Sequence, residues 1–170
     1  MVNFLEGRCS IQLSYRRILV VIQLNESNFS VYLRKFFNLC ELLGPENVGM
    51  LTGDAAVNPK APAICCTAEI LSNLALREGR QAPCDVAILD EFHFCADPER
   101  GVAWQIPLLE LFDATFLLMS ATFGDPALFA STLETNTGKP VAIVRSRDRP
   151  VPLDFSYSET PLHRAIEDLI

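Results

Sequence analysis

Residues Val86–His93 read VAILDEFH, an apolar run that ends abruptly in two acids and a histidine. The run favours a buried strand. In open α/β sheets ligands collect at the carboxyl ends of the strands, so Asp90, Glu91 and His93 are expected to project into a site. The first acid can hold Mg²⁺ through water, and the second can orient and deprotonate a water that attacks a phosphate. The competing interpretation is that the two acids only cap the next helix.

A second apolar run ends in polar residues about one strand and one helix later. Phe116–Met119 is followed by Ser120, Ala121, Thr122 and then Gly124. The two hydroxyls are suited to exchange hydrogen bonds with the Asp90–His93 loop and with a second domain. An ordinary Ser/Thr turn is the plainer alternative.

The order of elements predicts an open α/β domain with a mostly parallel sheet flanked by helices. From about residue 46 onward, short apolar runs alternate with helix-like stretches, which is the βαβ rhythm. The predicted strands are Val48–Thr52, Ala63–Thr67, Asp85–Asp90, Thr115–Ser120 and Val141–Val144. The predicted helices are Ser30–Leu43, Ala68–Glu78, Val102–Leu111 and Pro126–Thr135. Ile18–Leu24 also has the composition of a strand.

Glycine and proline mark the ends of these elements. Gly44-Pro45 ends the first helix, Gly79 ends the second, and Asp125-Pro126 supplies a cap for the last. Arg149–Leu153 contains two prolines and favours an extended exit from the domain. The expected organisation is a divergent segment 1–35, a partial domain 36–148, and a linker with a trailing helix, Leu162–Ile170, in 149–170.

Composition and charge limit the classes of function. The 170 residues are 49% hydrophobic and carry a net charge of −7, which is typical of a globular domain and offers no broad attraction for a polyanion. The alternating Arg145, Arg147 and Arg149 are interpreted as a solvated strand edge. The six cysteines form no CxxC pair, so they are predicted to be reduced core thiols of a cytoplasmic protein. No apolar run is long enough to span a membrane.

Thr67 lies where a predicted strand meets a predicted helix and is expected to be the helix N-cap. Free amides at that helix start, together with the hydroxyl, suit one backbone phosphate of a nucleic-acid strand. A helix start without a ligand is the plainer alternative.

Five segments, in this order, resemble superfamily-two helicases of the superkiller-type DExH branch, which act on RNA. The similar stretches are Val48–Asp54, Thr67–Leu71, Asp90–His93 continued by Asp97–Trp104, Ser120–Thr122 and Arg149–Leu153. The resemblance covers roughly residues 36–160 and implies the first RecA-like motor domain, with ATP and Mg²⁺ as cofactors and RNA or single-stranded nucleic acid as partner.

By this resemblance Asp90 is the Mg²⁺ acid, Glu91 the catalytic base, and His93 a coupler of nucleotide state to motion. Ser120 and Thr122 are the link between hydrolysis and unwinding. Residues implied to face the nucleic acid are Thr52, Gly53, Asp54, Thr67 and Glu69. Arg100 and Trp104 are expected to pack and position the region after the DExH loop.

The sequence departs from the family in its phosphate-binding loop. A Walker A loop reads G-x-x-x-x-G-K-[ST], whereas Gly138-Lys139 is followed by Pro140 and has Leu133 in place of the first glycine. A second RecA-like domain, which completes the ATP site in the family, is also missing. The expectation is therefore a fragment, truncated at its N-terminus or altered in reading frame before residue 36, that hydrolyses ATP poorly by itself.

Two other functions remain open on the sequence. One is a binding or scaffolding module that keeps only a nucleic-acid face. The other is an unrelated hydrolase in which Asp90, Glu91 and His93 are ligands of zinc or iron.

Overall fold

The structure is a computed structural model that describes residues 17–21, 29–121, 124–146 and 164. Its strands are β1 (Ile18–Val21), β2 (Val48–Leu51), β3 (Ala56–Val57), β4 (Ala63–Cys66), β5 (Val86–Leu89) and β6 (Thr115–Leu118). Its helices are α1 (Phe29–Leu43), α2 (Ala68–Glu78), α3 (Gly101–Glu110) and α4 (Ala127–Thr137). Short 3₁₀ turns span Pro45–Asn47, Gly79–Gln81 and Phe92–Ala96. Thr122, Arg149–Leu153 and the predicted trailing helix, apart from helical Arg164, lie outside the described residues.

The strands form one open sheet in the order β3-β2-β4-β1-β5-β6. Every pairing is parallel except that of β2 with β3, a two-residue edge strand that the sequence pattern did not reveal. The predicted α/β class and open, mostly parallel sheet are therefore confirmed. β1 lies between β4 and β5, so part of segment 1–35 occupies the middle of the sheet, and residue 35 itself falls within α1.

Helices cover both faces of the sheet, and all four residues of β4 are therefore buried. Ile64 and Cys66 join a large apolar cluster with residues of α2, α3 and α4. The intervening Cys65 packs instead with Tyr32 of α1 and with Met50. This alternation is the period-two pattern of a strand between two layers.

Local chemistry accounts for the ends of α1 and α2. Thr67 accepts a hydrogen bond from the Ile70 amide at 3.4 Å and is the predicted N-cap of α2. Gly44 follows α1 at φ +86° and Gly79 follows α2 at φ +52°, a backbone region that glycine occupies without steric cost. At α4 the cap residue is Pro126, while the Asp125 carboxylate accepts the Ala127 amide at 3.0 Å.

The prediction of a strand at Val141–Val144 is wrong. These residues are irregular, and Ile143 and Val144 are 49% and 91% exposed. A strand needs a hydrogen-bonding neighbour, and in the described part of the chain β6 is the last strand on its side of the sheet. The Val141 amide instead donates a hydrogen bond to the Glu134 carboxylate at 2.8 Å. Arg145 is accordingly exposed beyond any strand, and Arg147 and Arg149 lie outside the described residues.

The five cysteines in the described part are free thiols, and Cys65, Cys66 and Cys84 are buried. Burial raises the pKa of Cys65 and of Cys84 to about 12 and that of Cys66 still further. Within the described residues, no helix is long and apolar enough to cross a membrane.

Candidate active site

The predicted site residues lie at one edge of the sheet. The register of four parallel strands aligns their last residues, which are Cys66, Val21, Leu89 and Leu118. Thr67 and Asp90 follow the ends of β4 and β5 directly, and Ser120 follows β6 after Met119. Thr67, Asp90 and Ser120 therefore share the carboxyl edge of the sheet, as parallel pairing of their predicted strands implies.

Backbone hydrogen bonds join the loop after β5 to the loop after β6. The Met119 amide donates a hydrogen bond to the Leu89 carbonyl at 2.9 Å, and the Phe92 amide donates one to the Met119 carbonyl at 2.8 Å. The backbone next to Ser120 is thereby fixed to the loop that carries Asp90 and Glu91. A shift of either loop would be transmitted to the other.

Asp90 lies at the end of β5 with its side chain 18% exposed. One carboxylate oxygen accepts the Glu91 amide at 3.0 Å. The other oxygen forms an ion pair with the ammonium of Lys35, which reaches it from α1. The acid therefore lies in a polar setting with a cation directly in front of it.

Glu91 has a left-handed backbone, with φ 56° and ψ 42°. This conformation is uncommon for a residue with a Cβ atom and is often found at functional sites. It ends the strand sharply, starts the turn Phe92–Ala96, and leaves the Glu91 side chain 48% exposed. The carboxylate is thus presented to solvent at the edge of the sheet.

His93 lies beside Glu91, with its Nδ1 atom 3.3 Å from a Glu91 carboxylate oxygen. That nitrogen is buried and makes no well-formed hydrogen bond to any described residue. The ring also packs against Phe94, with centroids 4.5 Å apart. The imidazole therefore lies between the Glu91 carboxylate and the Phe94 ring.

Trp104 and Arg100 support this loop from behind. Trp104 is 1% exposed and packs against Phe92 and Phe94, each with ring centroids 6.4 Å away. Arg100 donates from Nε at 3.2 Å and from Nη2 at 2.5 Å to one oxygen of Glu69 at the start of α2. Packing and positioning, the roles expected for Trp104 and Arg100, match these contacts.

The ion pair with Arg100 changes the acidity of Glu69. Partial burial acts to raise the pKa of this carboxyl, but the hydrogen bond and charge of Arg100 and the backbone amide of Glu69 outweigh burial. The pKa therefore lies below its ordinary value. Glu69 links α2 to the segment before α3 in addition to any contact with nucleic acid.

The turn after β2 lies at the same edge of the sheet. The Thr52 hydroxyl accepts the amides of Asp54 at 3.3 Å and Ala55 at 3.0 Å, which closes the turn, while Gly53 and Asp54 are exposed. Strand order puts β2 three strands from β5, or about 14 Å at the usual spacing. The candidate nucleic-acid residues of this turn thus share an edge of the sheet with Asp90 and Glu91 but do not lie next to them.

The described residues offer an incomplete set of ligands for a metal ion. In the described part no three His, Cys, Asp or Glu side chains come together as a possible metal site. Mg²⁺ is commonly held by one or two carboxylates plus substrate phosphates and water, and Asp90 fits that use. Asp90 is therefore better suited to bind Mg²⁺ that is already coordinated by phosphates than to bind the ion alone.

The sequence interpretation missed Lys35. It is one of two adjacent basic residues on α1, and nothing in the local pattern separates it from Arg34. Only the sheet order, which puts β1 between β4 and β5, brings α1 close enough for the contact with Asp90.

Comparisons with known proteins agree with these features. The chain is 34% identical over 133 residues to the DExH-box ATP-dependent RNA helicase DExH15, chloroplastic, of Arabidopsis thaliana, covering 74% of this chain and 11% of that protein. It is 33% identical over 126 residues to the antiviral helicase SKI2 of Saccharomyces cerevisiae, covering 72% of this chain and 10% of that protein. No protein-family model matches the sequence.

The solved structure of the DExH-box NTPase HrpB of Escherichia coli has a similar fold. Its TM-score is 0.57 at 22% identity, with 91% of this chain and 19% of that chain covered. The chain spans about a tenth of the length of the two curated relatives. It is therefore a homologue of a segment of the superkiller-type DExH-box RNA helicases, with the open α/β fold of a helicase RecA-like domain.

Proposed function

We propose that the chain is part of the first motor domain of an ATP-dependent RNA helicase and supplies the acidic half of its ATP site. The observation that carries the proposal is the common carboxyl edge of β4, β5 and β6, where Thr67, Asp90 and the Ser120 loop follow aligned strands. ATP, Mg²⁺, RNA and a second motor domain belong to the proposal, as does a cytoplasmic location.

Each residue of the site has a separate task. Asp90 would hold Mg²⁺ through a bound water, and Glu91 would take the proton from the water that attacks the γ-phosphate. Mg²⁺, when bound, neutralises charge that develops on the phosphates. His93, at 3.3 Å from Glu91, senses the position of that carboxylate. Ser120 and Thr122 pass this position to the second motor domain.

The nucleic-acid side of the proposal rests on the turn after β2 and the start of α2. Thr67 is 6% exposed and engaged in capping, so any phosphate contact there comes mainly from the backbone amides of the first turn of α2. Thr52, Gly53 and Asp54 present a tight exposed turn on the same edge. Glu69 keeps the start of α2 in place through Arg100.

A chimera tests the catalytic part. The 133-residue match to DExH15 defines the segment of that helicase to be replaced by this chain. The chimera should hydrolyse ATP, and Glu91→Gln in it should lower turnover by roughly 10²- to 10⁴-fold with nucleotide binding retained, because glutamine keeps the shape of Glu91 but accepts no proton. The matched control is Glu78→Gln at the exposed end of α2, which should leave turnover unchanged. Turnover near the parental rate in Glu91→Gln would show that Glu91 is not the base.

A nucleic-acid-binding module without ATP turnover is the second candidate. The observation in its favour is that the sequence has no G-x-x-x-x-G-K-[ST] run to cradle phosphates beside Asp90. The isolated chain should therefore bind ATP·Mg²⁺ weakly, and calorimetry that gave micromolar affinity, about −8 kcal/mol, would contradict this. RNA binding by the same chain, measured separately, distinguishes the two candidates.

A further inference from the structure

We propose that Lys35 is an internal counter-cation for Asp90, a positioning residue that occupies the place of a divalent cation at this carboxylate until such a cation displaces it. The inference rests on the proposed metal role of Asp90. It assigns a task to a residue of α1 that lies outside every motif of the sequence.

The position of Lys35 is set by the packing of α1. Tyr32 is fully buried, and its hydroxyl donates to the Cys65 carbonyl at 3.1 Å, near the carboxyl end of β4. Lys35 lies three positions later, on the same side of the helix. Since β1 separates β4 from β5, the Lys35 side chain extends over the end of the central strand to reach Asp90.

Both oxygens of Asp90 are engaged in this arrangement. One accepts the Glu91 amide, and the other is paired with Lys35. With only 18% of the Asp90 side chain exposed, a water bound to a divalent cation competes with the ammonium for the second oxygen. The Lys35 side chain is 38% exposed and flexible, so solvent is open to it when it is displaced.

This competition makes the charge of Lys35, and not its bulk, the quantity that controls metal binding. Without the ammonium, Asp90 keeps its geometry through the Glu91 amide and loses its internal competitor. For an ion pair with both partners partly exposed, the expected gain in metal affinity is about two- to fivefold.

The test is Mn²⁺ binding to the 170-residue chain, with free Mn²⁺ measured by electron paramagnetic resonance. Lys35→Met keeps the side-chain stem without its charge and should tighten Mn²⁺ binding by about two- to fivefold. Lys35→Arg should remain at the parental affinity or below it. Arg34→Met makes the same charge change at the neighbouring exposed position and should have little effect.

Asp90→Asn, alone and combined with Lys35→Met, separates this proposal from the function on which it rests. If Asp90→Asn abolishes binding but Lys35→Met leaves it unchanged or weaker, the counter-cation role is overturned and the metal role of Asp90 stands. If no variant shows Asp90-dependent binding up to millimolar Mn²⁺, the counter-cation role is overturned, and the role of Asp90 toward Mg²⁺ that arrives with phosphates is decided by the ATP turnover of the chimera. Circular dichroism checks the fold of each variant, and Lys35→Gln replaces Lys35→Met if that variant is unfolded.

Discussion

Replacing Gly101 by alanine should loosen the attachment of α3 to the turn that follows Glu91. A Cβ atom at Gly101 would lie 2.5 Å from the Cys95 carbonyl oxygen, 3.0 Å from the Cys95 carbonyl carbon and 3.3 Å from the Phe94 carbonyl oxygen. Ordinary contacts of carbon with carbonyl oxygen are about 3.3 Å or longer. All three atoms are backbone, so no side-chain rotation relieves the clash, and the turn and the helix must move apart by most of an ångström.

Two opposing effects set the size of the loss. Overpacking of a well-packed site costs about 1–3 kcal/mol. Alanine also reduces the freedom of the unfolded chain, which returns about 0.4–1 kcal/mol. The free energy of unfolding should therefore fall by about 1–2 kcal/mol, which in a chain of this size lowers Tm by about 2–8 °C.

Urea unfolding followed by tryptophan fluorescence measures this loss. Trp104 is the single tryptophan, lies three residues after Gly101, and is buried against Phe92 and Phe94. Gly124→Ala is the matched control, since a Cβ atom there meets nothing within 4 Å, and its effect should stay within about 0.5 kcal/mol. A Gly101→Ala chain as stable as the parental chain would refute the close approach of these two backbones.

Three further predictions concern the cap, the ion pair and the sheet edge. Thr67→Ala should cost about 0.5–2 kcal/mol in urea unfolding, whereas Thr67→Ser, which keeps an oxygen for the Ile70 amide, should cost less. Arg100→Gln should cost about 0.2–1 kcal/mol at pH 7, because the lowered pKa of Glu69 adds stability above its unfolded value of about 4.3. That difference should vanish as pH falls through the lowered pKa, and a loss that persists in acid would contradict the assignment. β6 is the last strand on its side of the sheet in the described part of the chain, so the parental chain should self-associate through it and scatter more light as its concentration rises. Leu117→Lys, which puts a charge on this exposed strand, should reduce that scattering, and unchanged scattering would count against this edge.

Most elements of the fold follow from local sequence signals. The predicted bounds of α2 match the structure, because a threonine cap and a terminal glycine act within a few residues of the helix. The predicted strands at β2, β4, β5 and β6 extend one or two residues too far, since the polar residues at their ends already belong to loops.

The failures arise where structure depends on a distant neighbour. Val141–Val144 has the composition of a strand but pairs with no strand in the described part of the chain. The position of β1 between β4 and β5 is a property of the topology, which periodicity does not encode. The contact of Lys35 with Asp90 depends on that position, whereas Asp90, Thr67 and Ser120 could be placed because parallel strands share one carboxyl edge.

The central position of β1 affects how the chain folds during synthesis. Ile18 pairs with Val86, which follows 68 positions later, so β1 leaves the ribosome well before β5 and waits for it. At 5–20 residues per second that wait lasts roughly 3–14 s. β1 first lacks both of its neighbouring strands and then has only β4 until β5 is made, which leaves its apolar backbone edge open to pairing with other chains during synthesis.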